Sequence, residues 1–350
     1  MHLALSCIHQ NNSKKDSTMN KKLIALAVAA ASISSAATAA EVYSDEVSSL
    51  AVGGRFEARM VMADNDAGDS KVTDATRVRV NIAGKTDITE DIYGIGFWEG
   101  EYTDGNDLDN RHLNAGIGGE FGQVRYGKTD GSLGMLTDFT DIMAYHGNEA
   151  GNKLAAADRT SNNLAYVGSF DLAGDNLTVK ANYVFTGENE SAGKTYDVDG
   201  YSLAGMYAMD MGLAFGAGYG EQDGQAALNT ETGKQAFGAI SYTFGDFYVA
   251  GLYQDAENTE VHGANVEESK GYEFAASYTM GKTVFIATYN YLEDSKNDAD
   301  LRDSIAVDAT HYFNKNFRTY ASYKFNNLDS KDVGNKLASD ELVLGARYDF

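Results

Sequence analysis

Residues 342–350 read Leu342-Val343-Leu344-Gly345-Ala346-Arg347-Tyr348-Asp349-Phe350 and alternate strictly in polarity. Successive side chains of a β-strand point to opposite faces. One face of such a strand carries the apolar residues Leu342, Leu344, Ala346, Tyr348 and Phe350, and the other face carries Val343, Gly345, Arg347 and Asp349. A strand with one apolar face, one charged face and an aromatic last residue is typical of a transmembrane β-barrel with lipid outside and water inside.

The same period of two recurs in sixteen candidate strands along the chain. They begin near Leu50, Thr76, Ile92, Arg111, Gly122, Thr160, Leu177, Tyr201, Gly212, Gln235, Phe247, Gly271, Thr283, Ser304, Arg318 and Glu341. The sequence therefore predicts an all-β fold: a transmembrane antiparallel up-and-down β-barrel of sixteen strands. A barrel of that size leaves an aqueous lumen inside.

The connections between these strands alternate between short and long. Short turns include Gly245-Asp246, Gly281-Lys282 and Asn314-Lys315-Asn316. The long polar segments are 63–74, 103–110, 128–158, 187–199, 220–233, 255–269, 292–303 and 326–340. Short turns at one end and long loops at the other are typical of outer-membrane barrels, whereas a β-sandwich gives no reason for this alternation. Tyrosines near the strand ends further predict interfacial aromatic girdles.

The N-terminus predicts an exported protein. A basic run, Met19-Asn20-Lys21-Lys22, precedes an apolar stretch over 23–31 and the small residues Ala37-Thr38-Ala39. This pattern indicates a cleaved signal peptide at 19–39, and its apolar stretch is too short to span a bilayer. We expect residues 1–18 to be a misassigned N-terminal extension and residues 40–350 to form the barrel domain. The one cysteine, Cys7, falls in that extension, which excludes disulfides and thiolate chemistry from the mature chain.

Composition limits the possible partners. The chain has 37 Gly, 22 Tyr, 16 Phe and no Pro, and the absence of Pro suits a chain of paired strands. From residue 40 onward there are 24 basic and 50 acidic residues, a formal charge of −26. Nucleic acid is therefore excluded as a partner, because phosphate contacts need clustered Lys and Arg.

The longest connection, residues 128–158, is the third of the predicted outer loops. It carries Asp130, Asp138, Asp141 and Glu149. A loop of this length is too long for a simple hairpin, and we expect it to fold into the lumen and narrow it. The alternative is a solvated surface loop.

Several basic residues fall on the polar phase of the predicted strands. They are Arg55, Arg77, Arg79, Arg125 and Arg159, with Arg111 and Lys180 as further candidates. Charges within the spanning part of a barrel are tolerated only toward the lumen. Facing Asp130, Asp138 and Asp141 of the loop, these cations would create a transverse field that sorts small solutes by size and charge. Alternatively, each arginine pairs with an acid on a neighbouring strand.

The sequence predicts neither an enzyme nor a cofactor site. Four histidines follow residue 40, without a metal-type spacing, and no Gly-x-Ser-x-Gly motif is present. Gly212, Gly216 and Gly218 superficially resemble a nucleotide loop. They fall in strands, where we expect them to make room for Tyr and Phe across the barrel wall. The acidic residues over 293–303 lack the spacing of a calcium loop.

Several segments together resemble the Gram-negative general diffusion porins, the trimeric sixteen-stranded kind, especially those of marine gammaproteobacteria. The segments are Ala40-Glu41-Val42-Tyr43, Arg79-Val80-Asn81-Ile82-Ala83-Gly84, Phe97-Trp98-Glu99, Val124-Arg125-Tyr126-Gly127, Arg159-Thr160-Ser161-Asn162 and the terminal Phe350. The resemblance implies a homotrimer whose third loop forms an eyelet in each pore. It also implies that Phe350 is the aromatic end read by the barrel-assembly machinery.

The resemblance also implies roles for individual residues. Arg79 and Arg159 fall where the family carries eyelet arginines, Arg55 falls at a basic wall position, and Arg111 fits another only with a one-residue gap. Where family members commonly have Pro-Glu-Phe-Gly-Gly, this chain has Asp138-Phe139-Thr140-Asp141. Asp138 and Asp141 are therefore assigned to the eyelet by proximity.

The predicted function is a passive, water-filled channel for small hydrophilic solutes and ions, mildly cation-preferring because of the acidic outer loops. The predicted location is the outer membrane of a Gram-negative bacterium, in contact with its lipid and lipopolysaccharide. Two alternatives are a solute-specific channel with a saturable site and a closed barrel with an adhesive or structural role.

Overall fold

The computed structural model describes residues 39–103, 108–191, 194–223 and 231–350. The predicted extension 1–18, with Cys7, lies outside the described residues. So does the predicted signal peptide, apart from Ala39.

Within the described residues, sixteen long antiparallel strands pair in chain order and close into a barrel. They are β2 (Ser48–Asp64), β4 (Arg77–Asp87), β5 (Ile92–Thr103), β6 (Asp109–Gly119), β7 (Gly122–Thr129), β8 (Thr160–Leu172), β9 (Asp175–Val184), β12 (Asp199–Ala208), β13 (Leu213–Asp223), β14 (Gly233–Phe244), β15 (Phe247–Val261), β16 (Ala264–Met280), β17 (Thr283–Asp294), β18 (Ala299–Tyr312), β19 (Phe317–Asn326) and β20 (Glu341–Asp349). Four short strands lie beside them: β1 (Ala40–Ser44), β3 (Ser70–Asp74), β10 (Glu188–Ser191) and β11 (Lys194–Asp197). The prediction of a sixteen-stranded antiparallel barrel is confirmed.

The barrel closes between β2 and β20, in a register that runs from Arg55 opposite Asp349 to Met62 opposite Leu342. Beyond this ladder, the backbone N–H of Gly54 donates to the carbonyl of Phe350 at 3.0 Å, and the reverse bond is also 3.0 Å. A Cβ on Gly54 would lie 2.3 Å from the Arg79 carbonyl oxygen and 2.8 Å from the Phe350 ring. Glycine is therefore needed at the closing point.

The two faces of each strand differ as the sequence predicts. On β20, Leu344 and Tyr348 are exposed on the outer surface, whereas Val343 and Asp349 are buried inside. At the short-turn end, aromatic rings stack around the outer surface from Tyr242 to Phe244, Phe247 and Tyr278, with centroids 5.4, 5.4 and 4.6 Å apart. At the long-loop end, Tyr201 lies 6.3 Å from Tyr219. Outward aromatic residues at both ends agree with the predicted girdles.

The loop boundaries differ from the prediction chiefly at four places, one of which is the predicted loop 187–199, where the structure has β10 and β11. The predicted loop 255–269 is mostly strand, because β15 continues to Val261 and β16 begins at Ala264. Likewise β17 and β18 leave only residues 295–298 of the predicted loop 292–303. The predicted loop 63–74 contains β3. These strands extend past the apolar zone with polar residues on both faces, so the alternation in polarity that marks a strand is lost there.

Helical structure in the described ranges is short. Helix α1 (Gly134–Thr137) and a 3₁₀ turn at Ala155–Ala157 lie between β7 and β8, and helix α2 (Ser330–Val333) precedes β20. No helix in the described part of the chain has the length and apolar character needed to cross a membrane.

Candidate functional site

The connection between β7 and β8, residues 130–159, folds back into the lumen, as predicted; we refer to it as L3. Its side chains Leu133, Met135, Leu136 and Phe139 are buried almost completely. They pack against small and apolar residues on the inner faces of strands β12 and β14–β16, namely Ala204, Met206, Phe237, Ala239, Ala250, Leu252 and Ala275. L3 is thus held to one side of the barrel by an apolar core inside the lumen.

Glycines on β13 admit L3 to this position. A Cβ on Gly216 would lie 2.7 Å from the Leu136 side chain, and a Cβ on Gly218 would lie 2.8 Å from Leu133. The expectation that these glycines make room for Tyr and Phe across the wall is therefore wrong. They make room for leucines of L3, whose path the strand pattern does not reveal.

Glu273 on β16 anchors the middle of L3. Its Oε1 accepts hydrogen bonds from the backbone N–H groups of Ala150 at 2.8 Å and Gly151 at 3.0 Å, and its Oε2 accepts one from the Thr140 hydroxyl. Glu273 is fully buried. A single carboxylate therefore joins two parts of L3 to the wall.

Glutamines on neighbouring strands anchor the last part of L3. The Oε1 atom of Gln235 accepts from the N–H of Leu154 at 3.1 Å, and that of Gln222 accepts from Ala156 at 3.0 Å. Buried N–H groups of a loop need such partners, because each unpaired one costs about 1–3 kcal/mol. The inward amides thus let an irregular backbone pack inside the barrel.

A serine, a histidine and an acid meet where L3 contacts β19 and β20. His146 Nδ1 lies 2.7 Å from Ser322 Oγ, and His146 Nε2 lies 2.9 Å from Glu341 Oε1. Ser322 is 1% exposed, so a substrate has no access to its hydroxyl. The contact anchors L3 and is not a hydrolase site.

Two cavities flank L3, of about 540 Å³ and about 920 Å³. Asp138 and Asp141 line both of them. The smaller, which we call the first cavity, is also lined by Asp130, Arg125, Arg159, Arg111 and Lys180. The larger, the second cavity, is also lined by Arg55, Arg77 and Arg79.

The structure therefore brings the predicted basic residues and the predicted acidic residues of L3 to the same part of the lumen. Arg159 Nε is buried without a hydrogen-bond partner among the described residues. Asp130 lies 3.0 Å from His112 Nε2. The role of each residue in permeation stays a prediction.

The arginines of the second cavity form a larger group than predicted, which we call the arginine wall. Its members are Arg55, Arg59, Arg77, Arg79, Arg318 and Arg347. Glu57 lies 3.6, 3.1 and 2.9 Å from Arg55, Arg59 and Arg77. Glu101 pairs with Arg77 and Arg79, and Asp349 lies 3.5 Å from Arg318 and 2.5 Å from Arg347. Six guanidinium groups thus share three carboxylates.

The expectation of ordinary pairing across strands also holds in part. Arg77 contacts Glu57, its register partner on β2, and Arg111 contacts Glu99 on β5 at 2.8 Å. Sequence reasoning did not single out Arg59, Arg318 or Arg347 as site residues. The period of two could have indicated two of them. It places Arg59 on the same face of its strand as Arg55, and it places Arg347 on the polar face of the last strand.

The lumen environment changes the acidity of the L3 carboxyl groups. Desolvation by the surrounding wall raises the pKa of Asp138 to about 7 and also raises the pKa of Asp141, while Lys153 opposes both shifts. The Asp141 side chain is exposed, whereas the Asp138 side chain is half-buried. Because solvent screens the charge of an exposed group, the rise in pKa is larger in effect at Asp138 than at Asp141. Desolvation also acts to raise the pKa of Asp130, but the hydrogen bond with His112 and the positive charges of His112, Lys180 and Arg159 together outweigh it and lower that pKa.

No cluster of His, Cys, Asp or Glu within the described ranges is arranged to hold a metal ion. The site consists of opposed fixed charges around two cavities. Such an arrangement attracts, repels and orients charged solutes without making or breaking covalent bonds.

Comparison with known proteins identifies the family to which the chain is similar. The family model described as Gram-negative porin matches residues 24–331. Porin-like protein L of Photobacterium profundum is 68% identical over 348 residues, which is 95% of this chain and all of that protein. Outer membrane protein U of Vibrio parahaemolyticus is 45% identical, again over 95% of this chain and all of the relative.

Solved structures show the same fold. OmpF of Salmonella typhi, in a complex with daunomycin, matches with a TM-score of 0.76 at 24% identity, over 89% of this chain and all of that one. An anion-selective porin from Comamonas acidovorans matches with a TM-score of 0.69 at 18% identity, over 87% of this chain and all of that one.

Proposed function

This chain belongs to the Gram-negative porin family, and from that premise we propose that it forms a passive, water-filled diffusion channel for small hydrophilic solutes and ions, with a mild preference for cations. Family membership places the protein in the outer membrane of a Gram-negative bacterium and identifies it as a channel protein, not an enzyme.

The observation that carries the proposal is the position of L3. The loop lies inside the barrel, and its Asp138 and Asp141 border both cavities, opposite arginines of the wall strands. A packed loop that narrows an aqueous lumen limits solute size, while the opposed charges orient dipolar solutes in the remaining space. Specific recognition of one solute is not required for this mode of permeation.

The mild cation preference follows from charges that act in opposite directions. The formal charge of −26 from residue 40 onward concentrates cations near the protein, and Asp138 and Asp141 act in the same direction inside. The arginine wall has three more guanidinium groups than carboxylates in its ion pairs, which favours anions locally. The net preference is therefore small.

We further propose that the protein is a homotrimer surrounded by outer-membrane lipid and lipopolysaccharide. In this proposal the barrel-assembly machinery reads Phe350 as the aromatic end of the last strand. The exposed outer aromatic residues support the contact with lipid, since amphipathic rings favour membrane interfaces.

Single-channel recording tests the channel proposal. The heat-modifiable protein is purified from outer membranes and inserted into a planar bilayer in a salt gradient. We expect conductance that closes in three equal steps and a reversal potential of small cation preference. A reversal potential favouring anions would overturn the cation preference. Absence of conductance from a folded, heat-modifiable barrel would overturn the channel itself and favour the closed, adhesive alternative.

A further inference from the structure

The second cavity has two chemically different sides. The arginine wall forms one side. The rest of the lining includes the carboxyl groups Asp138, Asp141 and Asp246 and a set of apolar and aromatic groups, among them Ile142 and Met143 of L3, Tyr248 of β15 and Ile286 of β17. Its volume of about 920 Å³ falls within the range of small-molecule sites, which are mostly apolar with a few placed polar groups.

The arginine side has capacity for an anion. Its six guanidinium groups form ion pairs with only three carboxylates, Glu57, Glu101 and Asp349, so the wall itself carries a local excess of three positive charges. Asp138, Asp141 and Asp246 line other parts of the cavity. Arg55 and Arg79 lie directly opposite each other on β2 and β4. Like charges in that position destabilise a sheet. In addition, Arg55 Nε is buried and lacks a hydrogen-bond partner within the described residues. A carboxylate between these two arginines would relieve both costs.

The apolar groups of this cavity do not interact favourably with hydrated ions, so the passage of ions does not require them. Ile286 is 8% exposed and points into the lumen beside Val284. Tyr248 is fixed by a hydrogen bond from its hydroxyl to the Phe139 carbonyl at 2.7 Å, so its ring is held in place. Tyr312 on β18 lines the same cavity, under the guanidinium of Arg318 at 5.3 Å. Contact between these groups and a flat apolar solute would be favourable, because it removes apolar surface from water.

We propose that the second cavity is a saturable binding site for small aromatic carboxylates. The carboxylate would lie between Arg55 and Arg79, where charge-assisted and bidentate hydrogen bonds are available, and the ring would lie against Ile286 and Tyr248. A short carboxylate such as acetate can interact only with the arginine wall. A neutral aromatic molecule can interact only with the apolar groups. The inference rests on the proposed channel function and adds to it a class of solute that binds during passage.

Block of ion current by 2-naphthoate tests the site. We expect 2-naphthoate to reduce the potassium chloride conductance of single trimers with a saturating concentration dependence. Acetate and 2-naphthalenemethanol at equal concentrations should leave the conductance unchanged. Arg55→Gln on one side of the cavity and Ile286→Asn on the other should each raise the half-blocking concentration about tenfold. Arg125→Gln, which removes one cation from the first cavity, should raise that concentration by about twofold at most, the effect of a more distant lumen charge.

The outcomes separate the site from the channel. Normal conductance without block by 2-naphthoate overturns the site and leaves the channel proposal standing. Equal block by acetate, or equal loss of block in Arg125→Gln, also overturns it, because the effect would then be the general potential of the lumen. If folded trimers conduct no current, the channel proposal fails. Calorimetric titration of 2-naphthoate into detergent-solubilised protein then decides the site: weaker binding by folded Ile286→Asn supports it, and equal binding overturns it.

Discussion

Arg79 and Arg159 contribute positive charge to the lumen from different cavities. Arg79 lies on β4 beside Glu101, and Arg159 immediately precedes β8 with its Nε unpaired within the described residues. A unit charge about 10 Å from an ion in water changes its energy by about 0.4 kcal/mol, or roughly twofold in local concentration. We therefore expect Arg79→Ala and Arg159→Ala each to increase the cation-to-anion permeability ratio by about twofold to fourfold, as measured by reversal potential.

Lys71→Ala provides the matched control for this change in charge. Lys71 lies on β3 with an exposed side chain, outside the residues that line either cavity. Its replacement should shift the reversal potential much less than either lumen variant. Heat-modifiability should be retained in all three proteins. Unchanged selectivity in both arginine variants would remove these residues from the constriction.

Asp138 makes selectivity depend on pH. Because desolvation raises its pKa to about 7, the carboxyl group is neutral below that pH and negatively charged above it. The charges that face it are Lys180 on β9 and Lys153, Asp141 and Asp130 on L3. Raising the pH from about 6 to about 8 should therefore increase cation preference, with a midpoint near pH 7. The reversal potential of Asp138→Asn should lack this component, and an identical pH profile in that variant would contradict the assignment.

At the scale of single residues, the sequence predicted which side chains face the lumen but not which ones pair. The period of two placed Arg55, Arg77 and Arg79 inside the barrel, and the structure agrees. Glu57 and Glu101, which the sequence did not single out, share this phase, and their ion pairs with the arginine wall depend on the register between strands. Register is fixed by turns and packing, which one sequence does not specify. For this reason Arg59, Arg318 and Arg347 were not recognised as members of the group.

L3 narrows the lumen, and Glu273 anchors the middle of this loop with three hydrogen bonds. Glu273→Ala leaves the buried N–H groups of Ala150 and Gly151 without their acceptor. Each unpaired group costs about 1–3 kcal/mol, and that cost falls on L3 without affecting the β-ladder. We expect a heat-modifiable barrel with noisier open-channel current and faster tryptic cleavage at Lys153. Both are measured on the purified protein.

Two further variants show whether the added current noise and the faster cleavage result from loss of the Glu273 hydrogen bonds. Glu273→Gln keeps a side-chain oxygen as acceptor and should restore most of the quiet current. Glu268→Ala removes an exposed carboxylate from the same strand and should behave as wild type. Wild-type noise and cleavage in Glu273→Ala would show that the apolar core of L3 holds the loop without this carboxylate.

Most elements of the fold could be predicted because lipid imposes a strict alternation on each spanning segment. Predicted starts at Ile92, Gly122, Thr160, Phe247, Thr283 and Glu341 coincide with the observed ones. The prediction failed where β16 begins at Ala264 instead of Gly271 and β18 at Ala299 instead of Ser304. Those extensions have polar residues on both faces, and polar strand and polar loop have the same composition. The packing of L3 inside the barrel could not be predicted either, because its apolar residues lie in an irregular connection outside the alternating pattern of the strands.

For the molecule as a whole, Phe350 extends the ladder between β2 and β20 that closes the barrel. Phe350 forms two backbone hydrogen bonds with Gly54, and its ring lies 5.6 Å from Phe56 on the outer surface. The terminus thus has a structural task in addition to the proposed recognition by the barrel-assembly machinery. Each task depends on a different part of the residue: closure needs the backbone, whereas recognition needs the aromatic ring.

Two variants of Phe350 separate these tasks. Deletion of Phe350 removes both backbone bonds, so refolding into detergent should be slower and the folded barrel should lose its heat-modifiable form at a lower temperature. Phe350→Leu keeps the backbone bonds, so it should refold nearly as wild type, yet its level in the outer membrane should fall because the ring is missing. Phe325→Leu, which removes an exposed outward ring on β19, should assemble normally. Wild-type levels of Phe350→Leu in cells would contradict aromatic recognition, because closure alone would then explain the residue.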